Sequence, residues 1–380
     1  MRPRFEVAQL LWENWQWVMS YPGFSKHHRR TLAALRDCRT HALGGHIDAC
    51  SECGCLQISY NSCRNRHCPK CQGLQREKWI LARQQELLPV TYFHLVFTIP
   101  DVLNPYARSH PRRLYKILFH CAWQTIQLFA QDPKQLGAKP GATMILHTWG
   151  ANLSLHPHIH CIVPGGGLTP NGKWKTANSK GKFLFPVKAM SRVFRARFVA
   201  ALRASPIPVK SLDFKACFQK PWVVYARQPF PGPKMVIEYL GRYTHKIAIS
   251  NHRILNIEGD QVTFSYKDYK QSGKKKSMTL QAVEFIRRFA LHILPHGFVR
   301  IRHYGILASR SKRQLLSIIR EDLGVKPPSP APTDWKTICC QVLGFHPDFS
   351  RCCGAKLVRI GIIPAARDPP ELPVILAPTP

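Results

Sequence analysis

The feature that most restricts the fold of this chain is a run of metal-binding side chains between residues 38 and 71. Cys50 and Cys53 form one Cys-x2-Cys pair, and Cys68 and Cys71 form a second, with 14 residues between the pairs. Paired thiolates at this spacing occupy tight turns and bind tetrahedral zinc. The two pairs are therefore predicted to share one zinc ion, and buried cysteines without metal are the alternative.

Four further candidate zinc ligands lie in the same segment, namely Cys38, His46, Cys63 and His67. So short a segment cannot build an apolar core of its own, and metal is expected to stabilise it. One or two structural zinc ions fit this number of ligands. The sequence does not divide the ligands between the ions.

A second group of cysteines lies near the other end of the chain. Side chains of adjacent residues point apart on an extended chain, so adjacent cysteines are poor ligands for one ion. Structural thiols and a further metal site are both left open for this group, which consists of Cys339, Cys340, Cys352 and Cys353.

The charge of the chain indicates a polyanionic partner. Lys and Arg number 55 against 21 Asp and Glu, a net charge of +34. Such a charge repels itself in the compact state, and binding to phosphates offsets that cost. Arg64, Arg66 and Lys70 lie beside the predicted zinc ligands and are expected to contact the DNA backbone. Solvated surface charge is the alternative for these three.

The sequence is typical of a cytoplasmic protein without a membrane span. The first residues, MRPRFEVAQLLWENWQWVM, interrupt their apolar positions with polar ones, unlike a signal peptide. The longest segment without charged residues, 140–172, contains several histidines and prolines and does not fit a bilayer. In a reducing compartment, clustered cysteines bind metal more often than they form disulfides.

Periodicity and turn residues predict alternating helices and strands, with a proline-rich linker from Lys326. The predicted strands are Thr91–Ile99, Thr143–Trp149, His156–Val163 and a strand-rich region, Ala248–Tyr269, with a hairpin turn at 256–260. The predicted helices are Arg76–Leu88, Tyr106–Gln131, Met190–Ala204, Val236–Lys246, Gln281–Leu294 and Lys312–Leu323. Three segments follow: a helical and zinc-binding domain (1–88), a catalytic domain (89–324) and a linker with a cysteine-containing tail (325–380).

A short run of alternating histidines, HPHIH, predicts a metal site on a strand. His158 and His160 lie two residues apart and therefore present their imidazoles on the same face. A pair of neutral imidazoles can bind a divalent cation, whereas a lone histidine is usually a core residue. His156 lies on the same face one step earlier, and the sequence does not fix the third ligand.

Two tyrosines are candidates for nucleophiles. Tyr239 and Tyr243 lie four residues apart, which is one turn of a helix. Aromatic pairs at this spacing usually pack in a core. Here Arg242, His245 and Lys246 lie close by, and cations favour ionisation of a phenol. Arg242 and Lys246 are also expected to bind DNA.

Long blocks of the sequence resemble the rolling-circle insertion-sequence transposases, which are two-tyrosine members of the HUH nuclease superfamily. The blocks include GGHIDAC, NSCRNRHCPKCQ, HPHIHCIVPGGG, YLGRYTHKIAISNHRI and EFIRRFALHILPHGFVRIRHYGIL. They occur in the same order, from about Cys38 to Leu307. The pair Cys352-Cys353 departs from the family pattern, because a Cys-x2-Cys pair is expected there.

The resemblance implies an α+β fold in which an N-terminal zinc-binding module precedes an HUH nuclease domain, whose central antiparallel sheet is flanked by helices. It implies that His158 and His160 bind a catalytic Mg²⁺ or Mn²⁺ ion and that Tyr239 and Tyr243 are the nucleophiles. The expected activity is cleavage and transfer of single-stranded DNA, at element ends and target, through 5′-phosphotyrosine intermediates.

Two other functions are compatible with these motifs. A plasmid replication initiator or relaxase uses the same chemistry for another purpose. A zinc-dependent nucleic-acid-binding protein without catalysis accounts for the charge and the Cys-x2-Cys pairs, but it leaves the histidine and tyrosine pairs unexplained. The oligomeric state and the DNA sequence recognised do not follow from the sequence.

Overall fold

The computed structural model describes residues 3–177, 184–230, 235–236, 241, 247–268, 271–332, 334–366 and 374–375. The helices of these ranges are α1 (Val7–Glu13), α2 (Trp15–Ser20), α3 (Lys26–Arg36), α4 (Gly73–Gln84), α5 (Asn104–Ser109), α6 (Pro111–Gln131), α7 (Val187–Arg203), α8 (Ser211–Gln219), α9 (Ala282–Ala290), α10 (Lys312–Asp322) and α11 (Trp335–Leu343). None of them combines the length and the apolar character that crossing a bilayer requires.

The strands of the same ranges are β1 (Gly45–Cys50), β2 (Leu56–Tyr60), β3 (Tyr92–Thr98), β4 (Gly141–Trp149), β5 (Leu155–Pro164), β6 (Gly166–Leu168), β7 (Trp174–Thr176), β8 (Val224–Phe230), β9 (Ile254–Glu258), β10 (Gln261–Asp268), β11 (Lys274–Gln281), β12 (Ile301–Gly305), β13 (Leu357–Ile363) and β14 (Val374–Ile375). The predicted strands 91–99, 143–149 and 156–163 are confirmed to within two residues at each end. The predicted helix 106–131 is divided at His110, before Pro111.

A five-stranded antiparallel sheet in the order β12-β4-β5-β3-β8 forms the centre of the molecule. Its middle strand is β5, which carries the histidine run. Every residue of β4 is buried, which is why its sequence is almost continuously apolar. The predicted α+β fold with a central antiparallel sheet is therefore confirmed.

The helices α6 and α7 cover one face of this sheet and form the main core with it. Phe97, Leu146 and Ile159 project from β3, β4 and β5 into this core, and Phe119 and Phe194 enter it from the helices. All five side chains are fully buried. Since successive strand residues point to opposite faces, the histidines of β5 lie on the other face.

A second core joins the N-terminal helices to a three-stranded sheet. That sheet has the order β11-β10-β9, and α9 packs against it. Leu10 of α1 and Leu32 of α3 are buried in the same cluster as Phe264 and Phe285. The backbone N–H of Val7 also donates to Asn251 Oδ1 at 3.2 Å. The first residues of the chain therefore pack with residues that lie more than 240 positions later.

A small sheet in the order β14-β13-β1-β2 joins distant parts of the chain. The strands β1 and β2 form a hairpin, and β13 pairs antiparallel with β1 from Gly45 opposite Ile363 to Cys50 opposite Leu357. The predicted division into residues 1–88, 89–324 and 325–380 is corrected here. Backbone pairing makes 357–363 part of the same sheet as the zinc-binding segment, and not a separate tail.

Candidate active site and zinc-binding clusters

Three imidazoles converge on the face of the central sheet opposite the main core. In the register of β4 with β5, His147 lies opposite His158, and Ile145 lies opposite His160. One ring nitrogen from each of His147, His158 and His160 falls within 4.8 Å of the others. His147 and His160 are buried, whereas His158 is half-buried. The group therefore opens to the surface on the side of His158.

Hydrogen bonds orient two of these rings. His158 Nδ1 lies 2.6 Å from the carbonyl oxygen of His156, so Nδ1 carries the proton and donates. His160 Nδ1 lies 2.8 Å from Nε2 of the buried His94 on β3, and the two rings stack at 5.1 Å. When His160 donates in this bond, its Nε2 lone pair becomes available to a ligand, as in metal-bound histidines that are oriented by an outer partner.

The spacing of the two Nε2 atoms fits a shared cation. His158 Nε2 and His160 Nε2 are 3.1 Å apart. Two imidazole nitrogens about 2.1 Å from one ion are roughly 3 Å apart when the angle between the bonds is near 90°. The two histidines predicted as a pair are thus brought together, and His147 joins them from the neighbouring strand.

His156 does not belong to this group. Its Nδ1 lies 3.7 Å from the carboxylate of Asp101, and its side chain is 42% exposed. Only its backbone carbonyl, through the bond to His158 Nδ1, contributes to the arrangement. The prediction of His156 as a metal ligand is therefore corrected: the imidazole turns toward Asp101, and His147 occupies the third position.

The tyrosine pair Tyr239 and Tyr243 lies outside the described residues, together with Arg242 and Lys246. Two residues of the same segment are described. Val236 is fully buried in a cluster with Tyr92, Ile145 and Ile162, which belong to the histidine face of the sheet. A side chain added at Gly241 would place its Cβ 2.8 Å from Cδ1 of Ile80 on α4.

Four cysteines form a closed cluster beside α3. Their sulfur atoms lie within 4.8 Å of one another, and the members are Cys38, Cys63, Cys68 and Cys71. Two of these sulfurs, those of Cys63 and Cys71, are 3.7 Å apart. Sulfurs about 2.3 Å from one tetrahedral zinc are roughly 3.8 Å apart, so this cluster fits a structural zinc ion.

Hydrogen bonds within this cluster lower the pKa of two thiols, Cys38 and Cys71, and raise that of the other two, Cys63 and Cys68. Hydrogen bonds with neighbouring thiols, that of Cys63 first, lower the pKa of Cys38 to about 7. Bonds with the same group, led by that of Cys38, lower the pKa of Cys71. Backbone amides contribute as well, since Lys70 N–H donates to Cys68 Sγ at 3.4 Å. Such amide-to-sulfur bonds stabilise the charged form that binds zinc.

The other Cys-x2-Cys pair lies in a different cluster. Cys50 and Cys53 group with Cys353, whose Sγ lies 3.3 Å from Cys50 Sγ and 3.4 Å from Cys53 Sγ. The prediction that both pairs share one zinc ion is therefore corrected. Cys50 ends β1, and the pairing of β1 with β13 holds it beside the turn that carries Cys353.

The two histidines predicted as zinc ligands lie elsewhere. His46 Nε2 is 3.3 Å from the carboxylate of Asp48 on the same strand. His67 is buried and accepts the backbone N–H of Leu294 at 3.4 Å, and burial holds its pKa well below the usual value. Among the described residues, neither histidine belongs to a metal-binding group, because each ring is directed to a partner outside the cysteine clusters.

The three basic residues of the zinc-binding segment differ in their surroundings. Arg64 is exposed. Arg66 donates to the backbone carbonyls of Phe298 at 2.5 Å and Pro295 at 3.2 Å. The Lys70 ammonium pairs with Glu6 at 2.6 Å and is largely buried. The guanidinium of Arg66 and the ammonium of Lys70 thus bind within the protein, and Arg64 alone of the three faces solvent.

The sequence did not identify His147 and His94 as part of the site, and it left open whether Cys353 binds metal. His147 lies on β4, the strand just before β5, and depends on the register of that hairpin, whereas His94 is brought in from 66 residues away by the pairing of β3 with β5. For Cys353 a local signal exists: Cys50-x2-Cys53-Gly54 and Ser350-x2-Cys353-Gly354 share a spacing. That similarity, rather than the adjacent pair Cys352-Cys353, identifies the second turn.

Two families of known proteins match the parts of the chain that contain the four-cysteine cluster and the histidine cluster. A family described as "Transposase zinc-binding domain" matches residues 10–99, and one described as "Putative transposase" matches residues 141–314. The first match contains the four-cysteine cluster, and the second contains all three clustered histidines. No solved structure was found to match the chain.

Two relatives align with most of the chain. "Putative transposase y4qJ" of Sinorhizobium fredii is 44% identical over 329 residues, which cover 82% of this chain and 82% of the relative. "Transposase for insertion sequence element IS801" of Pseudomonas savastanoi pv. phaseolicola is 28% identical over 364 residues, which cover 90% of this chain and 86% of the relative. The match to the zinc-binding domain, the match to the transposase family and the identity to y4qJ lead to one conclusion: the chain belongs to the IS91-type transposases.

Proposed function

We propose that this transposase cleaves single-stranded DNA and transfers the strand through a covalent link to tyrosine. The observation that carries the proposal is the convergence of His147, His158 and His160 on one face of the central sheet. Support also comes from Val236, three residues before Tyr239 in the chain, which is buried against Ile145 and Ile162 on this face. Ile145 lies next to His160 in the sheet register.

The three histidines would hold a divalent cation, Mg²⁺ or Mn²⁺. Such an ion, when bound, polarises a non-bridging phosphate oxygen and offsets the charge that develops on it. The protein contributes the orientation of the ligands: the carbonyl of His156 fixes the ring of His158, and His94 fixes that of His160. Rings that are fixed in this way would hold the ion, and a phosphate bound to it, in one position relative to the nucleophile.

In the proposed reaction, a tyrosine attacks the phosphorus in line with the leaving 3′-oxygen. The phenol of Tyr239 or Tyr243 loses its proton, its oxygen forms the new bond to phosphorus, and the bond to the 3′-oxygen breaks. The leaving oxygen takes up a proton and becomes a 3′-hydroxyl. The second tyrosine accepts a second strand in the same way. A 3′-hydroxyl then loses its proton and attacks the phosphorus of a phosphotyrosine, the bond from the tyrosine oxygen to phosphorus breaks, and the phenol regains a proton, so that joining needs no nucleotide cofactor.

The substrate is proposed to be single-stranded DNA at the ends of a mobile element and at its target, in the cytoplasm. Arg64, Arg242 and Lys246 are the proposed contacts to the phosphate backbone. The cluster of Cys38, Cys63, Cys68 and Cys71 is proposed to bind zinc as a structural ion. A replication initiator or relaxase would share this chemistry, but the chain belongs to a transposase family.

Substitution of the tyrosines tests the nucleophiles. Incubation with Mn²⁺ and a labelled single strand is expected to give a covalent protein–DNA adduct, and mass spectrometry should locate it on Tyr239 or Tyr243. The double variant Tyr239→Phe/Tyr243→Phe should bind the strand normally and form no adduct. Adduct formation by the double variant, or an adduct on another residue, would refute the assignment.

Substitution of the histidines tests the metal site separately. His147→Ala, His158→Ala and His160→Ala should each weaken Mn²⁺ binding by more than the roughly 10–100-fold that loss of an outer partner costs. His156→Ala is the matched control, because its ring lies outside the group. Equal Mn²⁺ affinity of His156→Ala and His147→Ala would contradict the proposed ligands, whatever the fate of the tyrosines.

A further inference from the structure

Two turns of the small sheet share one backbone conformation. In the first turn, Cys50 N–H donates to Cys55 O at 3.1 Å and Gly54 N–H donates to Cys50 O at 3.2 Å. In the second turn, the corresponding bonds are Ser350 N–H to Ala355 O at 2.7 Å and Gly354 N–H to Ser350 O at 3.0 Å. Each turn therefore has the same two hydrogen bonds and a glycine as its fifth residue.

The glycines of these turns adopt the same left-handed conformation. Gly54 has φ 65° and Gly354 has φ 75°. A positive φ at this position allows a tight turn, and glycine adopts this conformation without a steric cost. Residues 50–55 and 350–355 are thus equivalent turns, of the kind on which two thiolates bind one zinc ion.

Because the two turns are equivalent, each cysteine of the first turn has a counterpart in the second. Cys353 corresponds to Cys53, and Ser350 corresponds to Cys50. The Ser350 side chain is buried at 8% exposure, and its Oγ accepts the N–H of Cys352 at 3.2 Å. The same amide-to-ligand bond occurs two residues after Cys63, where Asn65 N–H donates to Sγ at 3.5 Å. Ser350 Oγ therefore lies in the position of a ligand atom.

We propose that Cys50, Cys53 and Cys353 bind a second zinc ion, with the fourth position on the side of Ser350 taken by its hydroxyl or by a water molecule. The match to the zinc-binding domain ends at residue 99, and Cys353 lies far beyond it. The site joins the β1–β2 hairpin to β13. It is independent of the histidine cluster and of the proposed cleavage reaction.

The chemistry of the group supports zinc over a disulfide. The sulfurs of Cys50 and Cys353 are 3.3 Å apart, far beyond a disulfide bond of about 2.05 Å. Backbone amides of Cys53 and Glu52 donate to Cys50 Sγ, as the amide of Lys70 does to Cys68 Sγ in the four-cysteine cluster. Three soft thiolates on tight turns select zinc over hard cations such as Mg²⁺. Replacement of one thiolate by a neutral oxygen makes this site less negative than the four-cysteine cluster.

The structure also offers matched controls. Cys55 and Cys352 are exposed thiols in the same two turns, and neither belongs to the three-cysteine group. Cys352→Ser and Cys353→Ser change adjacent residues by the same single atom. A difference in metal content between these two variants therefore reports ligation by Cys353, and it does not depend on any zinc held by the histidines.

Metal analysis of the purified full chain is the first test. Cys353→Ser is expected to contain about one zinc ion per chain less than Cys352→Ser and Cys55→Ser, which should match the unmodified protein. Equal zinc content in the Cys353→Ser and Cys352→Ser proteins would overturn the proposal. So would a Cys50–Cys353 disulfide, found by mass spectrometry in protein that was purified without reductant.

The substitution Ser350→Cys tests the fourth position without the removal of any ligand, and it remains informative if Cys353→Ser fails to fold. It should slow the release of one zinc ion to a chelator at least about tenfold, because even an outer partner of a ligand contributes that much. It should also increase the sulfur-to-metal absorption of the Co²⁺-loaded protein. Unchanged release and an unchanged Co²⁺ spectrum would refute the role of Ser350.

Discussion

The histidines of this protein lie in different surroundings, and His292 contrasts with the clustered His147, His158 and His160. It is buried against Thr148 Oγ1 and the carbonyl of Leu153, each at 3.2 Å from a ring nitrogen. Burial lowers its pKa from 6.5 to about 4. The folded protein therefore keeps this ring neutral at a pH at which the unfolded chain binds a proton.

The expected result is a loss of stability in mild acid. As the pH falls from 6.5 to about 4, the unfolded chain binds a proton that the folded protein does not, and the free energy of unfolding should fall by about 3 kcal/mol from this residue. Denaturant titrations between pH 7 and pH 4.5 should show a shallower fall for His292→Gln. The exposed His120→Gln is the control, and equal slopes for both variants would contradict the prediction.

Residue alternation predicted part of the histidine cluster. Because side chains alternate along a strand, His158 and His160 were placed on one face from the sequence alone, and the structure agrees. His156 was placed with them by the same rule, but its imidazole is directed to Asp101. His147 depends on the register of the hairpin formed by the consecutive strands β4 and β5, and the spacing of the histidines does not fix this register.

At the scale of elements, the zinc-binding segment is attached to the rest of the molecule through Arg66. Its guanidinium donates to two carbonyls in the loop between α9 and β12. Hydrogen bonds from a charged group contribute about 1.5–3 kcal/mol each, so Arg66→Ala should reduce the free energy of unfolding by about 3 kcal/mol. Denaturant unfolding followed by circular dichroism measures this change.

Arg64→Ala is the matched variant. Arg64 is exposed, and its removal should change stability by less than about 0.5 kcal/mol. It should instead weaken binding to single-stranded DNA and reduce the salt slope by about 1. If Arg64→Ala proves as destabilising as Arg66→Ala, the distinction drawn between these two arginines is wrong.

Sequence patterns predicted where strands begin and end better than they predicted which strands pair. The strands β3, β4 and β5 are rich in β-branched and aromatic residues between turn formers, and their predicted bounds are close to those observed. The strand β13 was missed, because its flanking sequence is rich in proline and its partner β1 lies far away in the chain. The predicted helix 236–246 falls mostly outside the described residues.

On the scale of the whole molecule, the charge of +34 predicts how DNA binding depends on salt. On a single strand the slope is about −0.7 per phosphate, so a protein that contacts 6–10 phosphates loses roughly 300-fold to 10⁴-fold in affinity between 50 and 200 mM salt. Binding of a labelled single strand, measured by fluorescence anisotropy over this range, should show a loss of this size. An affinity that does not change with salt would contradict binding dominated by phosphate contacts.

The family could be predicted from motifs, whereas the assembly of the chain could not. The proline-rich segment from Lys326 indicated an independent tail, but residues 357–363 pair with β1 and bring Cys353 to Cys50. Similarly, the helices before the zinc-binding segment share a core with Phe264 and Phe285. Both arrangements arise from contacts between residues hundreds of positions apart, which composition and periodicity do not report.

The pairing of β1 with β13 has a consequence for protein synthesis. The ribosome adds about 5–20 residues per second, and roughly 300 residues separate the β1–β2 hairpin from β13, so the hairpin emerges roughly 15–60 s before its partner. During this interval one edge of β1 is unpaired, and Cys50 and Cys53 lack the third thiol. A nascent chain is thus open to aggregation and oxidation at this point, and a product truncated before β13 never closes it.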